Sequence, residues 1–165
     1  ESSIVSWFAC GIGPEEQTIL QISTAESAAQ QVVEALVVLV ALRAWKHRWA
    51  HHRIELRVKS DSISALVLCL NLKTSGHGTG IVAREIALDI AQSEYKPTVA
   101  QHIPGVDNVI ADALSRKYAP GFDFALPSCL RPEQELVLSE RDNTYYRTLR
   151  PRAPPVSKRK RRQNG

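Results

Sequence analysis

The sequence predicts an α/β domain, a mixed β-sheet flanked by helices, and three observations carry that expectation. Residues alternate apolar and polar in Ile54-Glu-Leu-Arg-Val-Lys, as in a half-buried strand, and the run Thr98-Val-Ala-Gln-His-Ile-Pro is β-rich. Apolar residues recur at helical spacing over about Ala25 to Trp49 and about Gly80 to Glu94. The third observation is the order of the segments along the chain, which reads β-β-α-β-α-α-β-α.

The first two segments, about Ser3 to Ala9 and Thr18 to Ser23, read as strands of a hairpin, with Gly11, Gly13, Pro14, Glu15 and Glu16 between them as the turn. Next comes the longest helical pattern, about Ala25 to Trp49, capped by Ser23 or Thr24. Val32, Val33, Leu36, Val37, Leu39, Val40, Leu42 and Trp45 make it apolar nearly all round, which predicts deep burial. Glu34 interrupts that surface. It shares a face with Val37, Val38, Ala41 and Trp45, where an unmet carboxylate costs several kcal/mol. A rim position paired with Lys or Arg would meet that cost, and so would a metal ion.

Beyond the basic turn Lys46 to Arg53, the strand Ile54 to Lys59 runs into Asp61, and a helix follows over about Ser62 to Leu72. An Asp at that boundary is a favoured N-cap, worth about 1 kcal/mol. Lys73 to Gly80 reads as a loop that includes His77. It lacks the Gly-Lys-Ser/Thr ending of a phosphate-binding loop.

The run His102-Ile-Pro-Gly-Val-Asp-Asn-Val-Ile-Ala-Asp-Ala-Leu-Ser-Arg116 organises the rest of the chain. Pro104 cannot continue a central strand and Gly105 permits a reversal, so a short helix starts there, capped by Asp107 or Asn108. Asp112 falls in its opening turns, where the partial positive charge of the helix N-terminus favours an ionised carboxylate. His102 sits where strand meets turn.

This run resembles the C-terminal part of ribonuclease H domains attached to retrotransposon reverse transcriptases. The run Val33-Glu-Ala-Leu-Val-Val-Leu-Val-Ala-Leu-Arg-Ala-Trp45 is similar to the first helix of that fold. Together they cover about Ser3 to Lys117 and imply a ribonuclease H-like sheet whose first strand is missing. The resemblance implies an endonuclease, a hydrolase of the RNA strand of RNA:DNA hybrids, working with two Mg²⁺ (or Mn²⁺) ions. Glu34, Asp61 and Asp112 would be the metal ligands and His102 would assist proton transfer or product release. Asn108 would lie near the substrate strand. The family's bridging aspartate, on the first strand, has no counterpart before Ile4. The resemblance therefore implies that the isolated chain is inactive, or that it is a noncatalytic module that keeps the fold to bind nucleic acid or a protein partner. A neighbouring polymerase domain upstream is the implied partner besides the hybrid.

Composition sets the outer bounds. Apolar residues make up 44% and charged ones 23% of 165 residues, which fits a single globular domain with appendages. No uncharged apolar run reaches the length of a membrane span. Three scattered cysteines suggest neither a disulfide framework nor a zinc site, which points to an intracellular setting. The net charge of +4 resides in the run Lys158 to Arg162, so the rest is near neutral. That run could be a nuclear localisation signal or a phosphate contact, leaving the location cytoplasmic, nuclear or both. The expected divisions are a domain at 1–117, an irregular extension at 118–152 and a disordered basic tail at 153–165. The chain begins without Met and contains none, so a piece of a longer polypeptide is expected.

Overall fold

The computed structural model describes residues 4–23, 27–49, 51–94, 96–142 and 144–149. Expectations for Ser3, for a cap at Thr24 and for the tail at 153–165 lie outside these residues. In chain order the elements are α1 (Pro14–Leu20), α2 (Ser27–Ala44), α3 (Lys46–Trp49), β1 (Glu55–Ser60), α4 (Ile63–Asn71), α5 (His77–Ala91), β2 (Lys96–His102) and α6 (Val109–Ser115). Short 3₁₀ turns occupy Gly105–Asp107, Pro132–Gln134 and Arg147–Leu149.

The expected N-terminal hairpin is not formed. Residues 14–20 are helical because Gly13 and Pro14 supply a helix start and Glu15 and Glu16 place acid in the first turn. The helix buries Glu16 and Leu20, one turn apart on one face. Residues 4–10 join no sheet. They touch the C-terminal segment through one parallel bridge, in which the Trp7 amide donates to Gln134 O at 3.0 Å and the Leu136 amide to Trp7 O at 2.8 Å.

β1 and β2 are parallel, with Lys59 opposite Gln101 and Ser60 opposite His102. Parallel neighbours require a crossover, and α4 with α5 provides it. The layer behind is helical: α2 packs against both α4 and α5. Leu39, Ile81, Val82 and Ile86 are all but inaccessible at its centre, and each contributes roughly 1.5–3 kcal/mol by burial. Gly78 permits a close approach there, since a Cβ at that position would lie 2.4 Å from the Leu20 carbonyl oxygen.

The segment after α6 has little regular structure, yet it is bound to the helical layer by buried charges. Arg141 donates to both oxygens of Glu16, each at 2.8 Å, and the Tyr146 hydroxyl donates to the same carboxylate. Arg147 reaches Asp89 at 2.6 Å and Glu85 at 3.2 Å, while Arg43 of α2 meets Glu85 at 2.6 Å and Asp89 at 2.7 Å. Burial pushes the Glu85 carboxyl up, but the Thr148 amide and the Arg43 guanidinium outweigh it and hold it below the ordinary value. Tyr146 is fully buried, edge-on to Tyr145 at 5.3 Å.

Candidate functional site

Glu34, Asp61 and Asp112 line one trough of about 650 Å³ between α2, β1 and α6. Every residue from Leu56 to Asp61 contributes to its wall. A sheet face would present alternate residues, so a continuous run marks an exposed strand edge. β1 pairs with β2 on one side only, and among the described residues the other edge carries no strand. Across the trough stand Val37, Val38 and Ala41 of α2 and Trp45 just beyond its end, the stripe that shares a face with Glu34. Val37 is 45% exposed, an apolar side chain left in water by the open trough.

Local chemistry fixes each carboxylate. Glu34 is half-buried: one oxygen accepts from the Ser62 hydroxyl at 2.5 Å and the other from the Gln30 amide at 3.0 Å. The Ser62 hydroxyl oxygen also accepts from the Ala65 amide at 3.1 Å, so it caps α4 and ties its start to α2. This corrects the expected cap. Asp61 lies one residue too early, and Ser62 stands three before the amide that needs an acceptor.

Asp61 is exposed, and its carboxylate lies 3.7 Å from where a Gly105 Cβ would stand. That is an ordinary contact distance, so the turn after β2 lies against Asp61 and leads α6 to the trough. Asn108 lines the trough at the cap position of α6, without a capping hydrogen bond from its side chain. Asp107 closes the preceding 3₁₀ turn instead of capping α6. In α6, the Arg116 Nη2 donates to both oxygens of Asp112, at 3.1 and 2.9 Å. Both partners are about half exposed, so this i,i+4 pair is worth only about 0.3–0.5 kcal/mol and is easily displaced.

His102 ends β2 opposite Ser60, but its side chain is exposed and does not line the trough. His77, expected in a loop, is the exposed first residue of α5.

The donor set of three carboxylates suits a hard cation such as Mg²⁺. The spacing does not. Among the described residues no three carboxylate, imidazole or thiolate groups come together closely enough to hold a metal ion. The structure thus gathers Glu34, Asp61, Asp112 and Asn108 along one trough, leaves His102 beside it, and forms no ion site from them.

Sequence reasoning passed over the residues that hold these carboxylates. Arg116 was legible, since Asp and Arg four apart on a helix are neighbours. Ser62 was legible as a cap, but its second bond to Glu34 depends on how α4 sits against α2. Among the described residues no helix is long and apolar enough to cross a membrane. Comparison with models of known families, with characterised proteins and with solved structures finds no match.

Proposed function

We propose that this chain is the larger part of a ribonuclease H-type domain that hydrolyses the RNA strand of RNA:DNA hybrids within a retroelement reverse transcriptase. The observation that carries this reading is the trough, where three carboxylates line a groove between a strand edge that is unpaired among the described residues and an apolar helix stripe. A strand laid on that edge would cover Val37 and Trp45 and could bring a further carboxylate beside Asp61. The motif from His102 to Arg116 supports the same reading.

In the completed site, Glu34 and Asp61 would hold one divalent ion and Asp112 another, Mg²⁺ or Mn²⁺. The ions would supply activated water and stabilise the leaving oxygen. His102 would move a proton at the rim, and Asn108 would contact the substrate strand. Arg116 would then be released from Asp112 at little cost, given the exposure of their pair. An upstream polymerase domain would share in holding the hybrid.

A second reading, a noncatalytic module that binds nucleic acid or a protein, has an observation of its own: the carboxylates do not converge and Arg116 already occupies Asp112. Cleavage separates the two. A version lengthened upstream of Glu1 by its own coding sequence is expected to release RNA from a labelled hybrid with Mg²⁺, and Asp112→Asn is expected to abolish release without unfolding the protein. Undiminished cleavage by the substituted protein would remove Asp112 from the site, and no cleavage by the lengthened protein would favour the binding module.

A further inference from the structure

The connection between α2 and β1, made of α3 and the basic turn after it and called the basic turn below, concentrates charge that the proposed nuclease chemistry does not use. Lys46, His47, Arg48, His51, His52 and Arg53 fall within eight consecutive positions, with no acidic residue among them. All but Lys46 are exposed, and among the described residues none of the six side chains has an ion-pair or hydrogen-bond partner. Several cationic groups in the fold are spent on carboxylates, Arg43 and Arg147 on Glu85 and Asp89, Arg141 on Glu16 and Lys117 on Glu135, and others, such as Arg57, Lys73, Arg84 and Arg131, are dispersed along the chain. A chain whose folded part is near neutral overall therefore keeps a local excess of unpaired positive charge at this turn.

We infer that this basic turn is a binding site for the phosphate backbone of a nucleic acid. Charge complementarity identifies the occupant. A polyphosphate presents closely spaced negative charges and releases counterions in proportion to the phosphates that cations neutralise, which yields affinity without any shaped pocket. An acidic membrane would offer similar charge, but interfacial binding also needs apolar side chains to insert. The turn supplies few: Trp49 is half-buried against Trp45 at 6.5 Å between ring centroids, and Ile54 is 37% exposed.

Position strengthens the inference. The turn precedes Glu55 at the start of β1, and Asp61 follows Ser60 at its end. At roughly 3.3 Å per residue the two ends stand about 20 Å apart. That is the length of about six nucleotides of one strand, at roughly 3.4 Å each. The site goes beyond the nuclease reading, because backbone binding at the turn requires neither metal nor the trough.

The test measures binding of the full chain to a fluorescein-labelled RNA:DNA hybrid by anisotropy in EDTA, so that cleavage plays no part. If Lys46, Arg48 and Arg53 each make one phosphate contact, replacing all three by Ala lowers the slope of log K against log salt by about 2.7. Between about 50 and 200 mM salt the unsubstituted chain should then lose roughly 40-fold more affinity than the Lys46→Ala, Arg48→Ala, Arg53→Ala protein. The charge-keeping exchanges Arg48→Lys and Arg53→Lys should preserve the slope. Alanine substitution across Lys158 to Arg162 should leave the difference between turn variants intact. An unchanged slope in the triple variant, with its circular dichroism unaltered, would overturn the inference. So would stronger turn-dependent binding to phosphatidylserine vesicles than to hybrid.

Discussion

Cutting the chain after Leu138 should unfold it, although the described residues of the segment removed contain no strand and no α-helix. The cut removes Tyr146, whose loss from the core costs about 3–5 kcal/mol by analogy with other large-to-small aromatic substitutions. It also strips Glu16 of both Arg141 and the Tyr146 hydroxyl, leaving a carboxylate that is 3% exposed without its cation, at a cost of about 3–5 kcal/mol. Glu85 and Asp89 would keep only Arg43. The total, roughly 6–10 kcal/mol, is comparable to the whole stability of a typical domain, about 5–15 kcal/mol. Urea titration followed by circular dichroism and by the fluorescence of Trp7, Trp45 and Trp49 reads the outcome. Tyr146→Phe is the graded control, since it keeps the ring and loses a charge-assisted bond worth about 1.5–3 kcal/mol. A truncated protein with the full-length midpoint would refute the reasoning, because the buried charges would then be met without the C-terminal segment.

Acid should destabilise the protein through Glu85. Its carboxyl is held below the ordinary 4.5, so its contribution is complete above that value and is lost as pH falls through the lower folded value. Thermal midpoints from pH 7 downward should drop below about pH 4.5, and Glu85→Gln should start lower and fall less. Parallel profiles for the two proteins would contradict this. Gly78→Ala should cost about 1–3 kcal/mol, because the new Cβ meets backbone at 2.4 Å and not a yielding side chain. Calorimetry showing an unchanged midpoint would mean that α1 and α5 separate freely.

Where the sequence could be read, local periodicity and local caps did the work. α2, β1, α4 and α5 each carry a period that matches their burial, β2 forms where the β-rich run stands, and the turn Pro104-Gly105 fixes the entry to α6. The N-terminal region was misread because Thr18-Ile-Leu-Gln-Ile looks β-branched and extended. Gly13-Pro14-Glu15-Glu16 in front of it is a helix start, and that signal was available. What makes Glu16 a core residue was not available, since its partners Arg141 and Tyr146 stand 125 and 130 positions away. The same applies to the four-residue charge cluster of Arg43, Glu85, Asp89 and Arg147. At the site, the sharing of one trough by Glu34, Asp61 and Asp112 follows from helix face and strand end, both of which the pattern showed. Their failure to converge is a matter of tertiary spacing, which pattern does not encode.

The central claim is that the free edge of β1 is the incomplete side of a hydrolytic site. The most direct measurement compares Mg²⁺-dependent release of RNA from a labelled RNA:DNA hybrid by the 165-residue chain and by the version lengthened upstream of Glu1. The account predicts no useful rate from the chain as it stands, because three carboxylates that do not converge bind Mg²⁺ weakly and Mg²⁺ gives up its waters reluctantly. It predicts cleavage from the lengthened protein. Equal activity in the two would contradict it, by showing that these residues already contain a complete site.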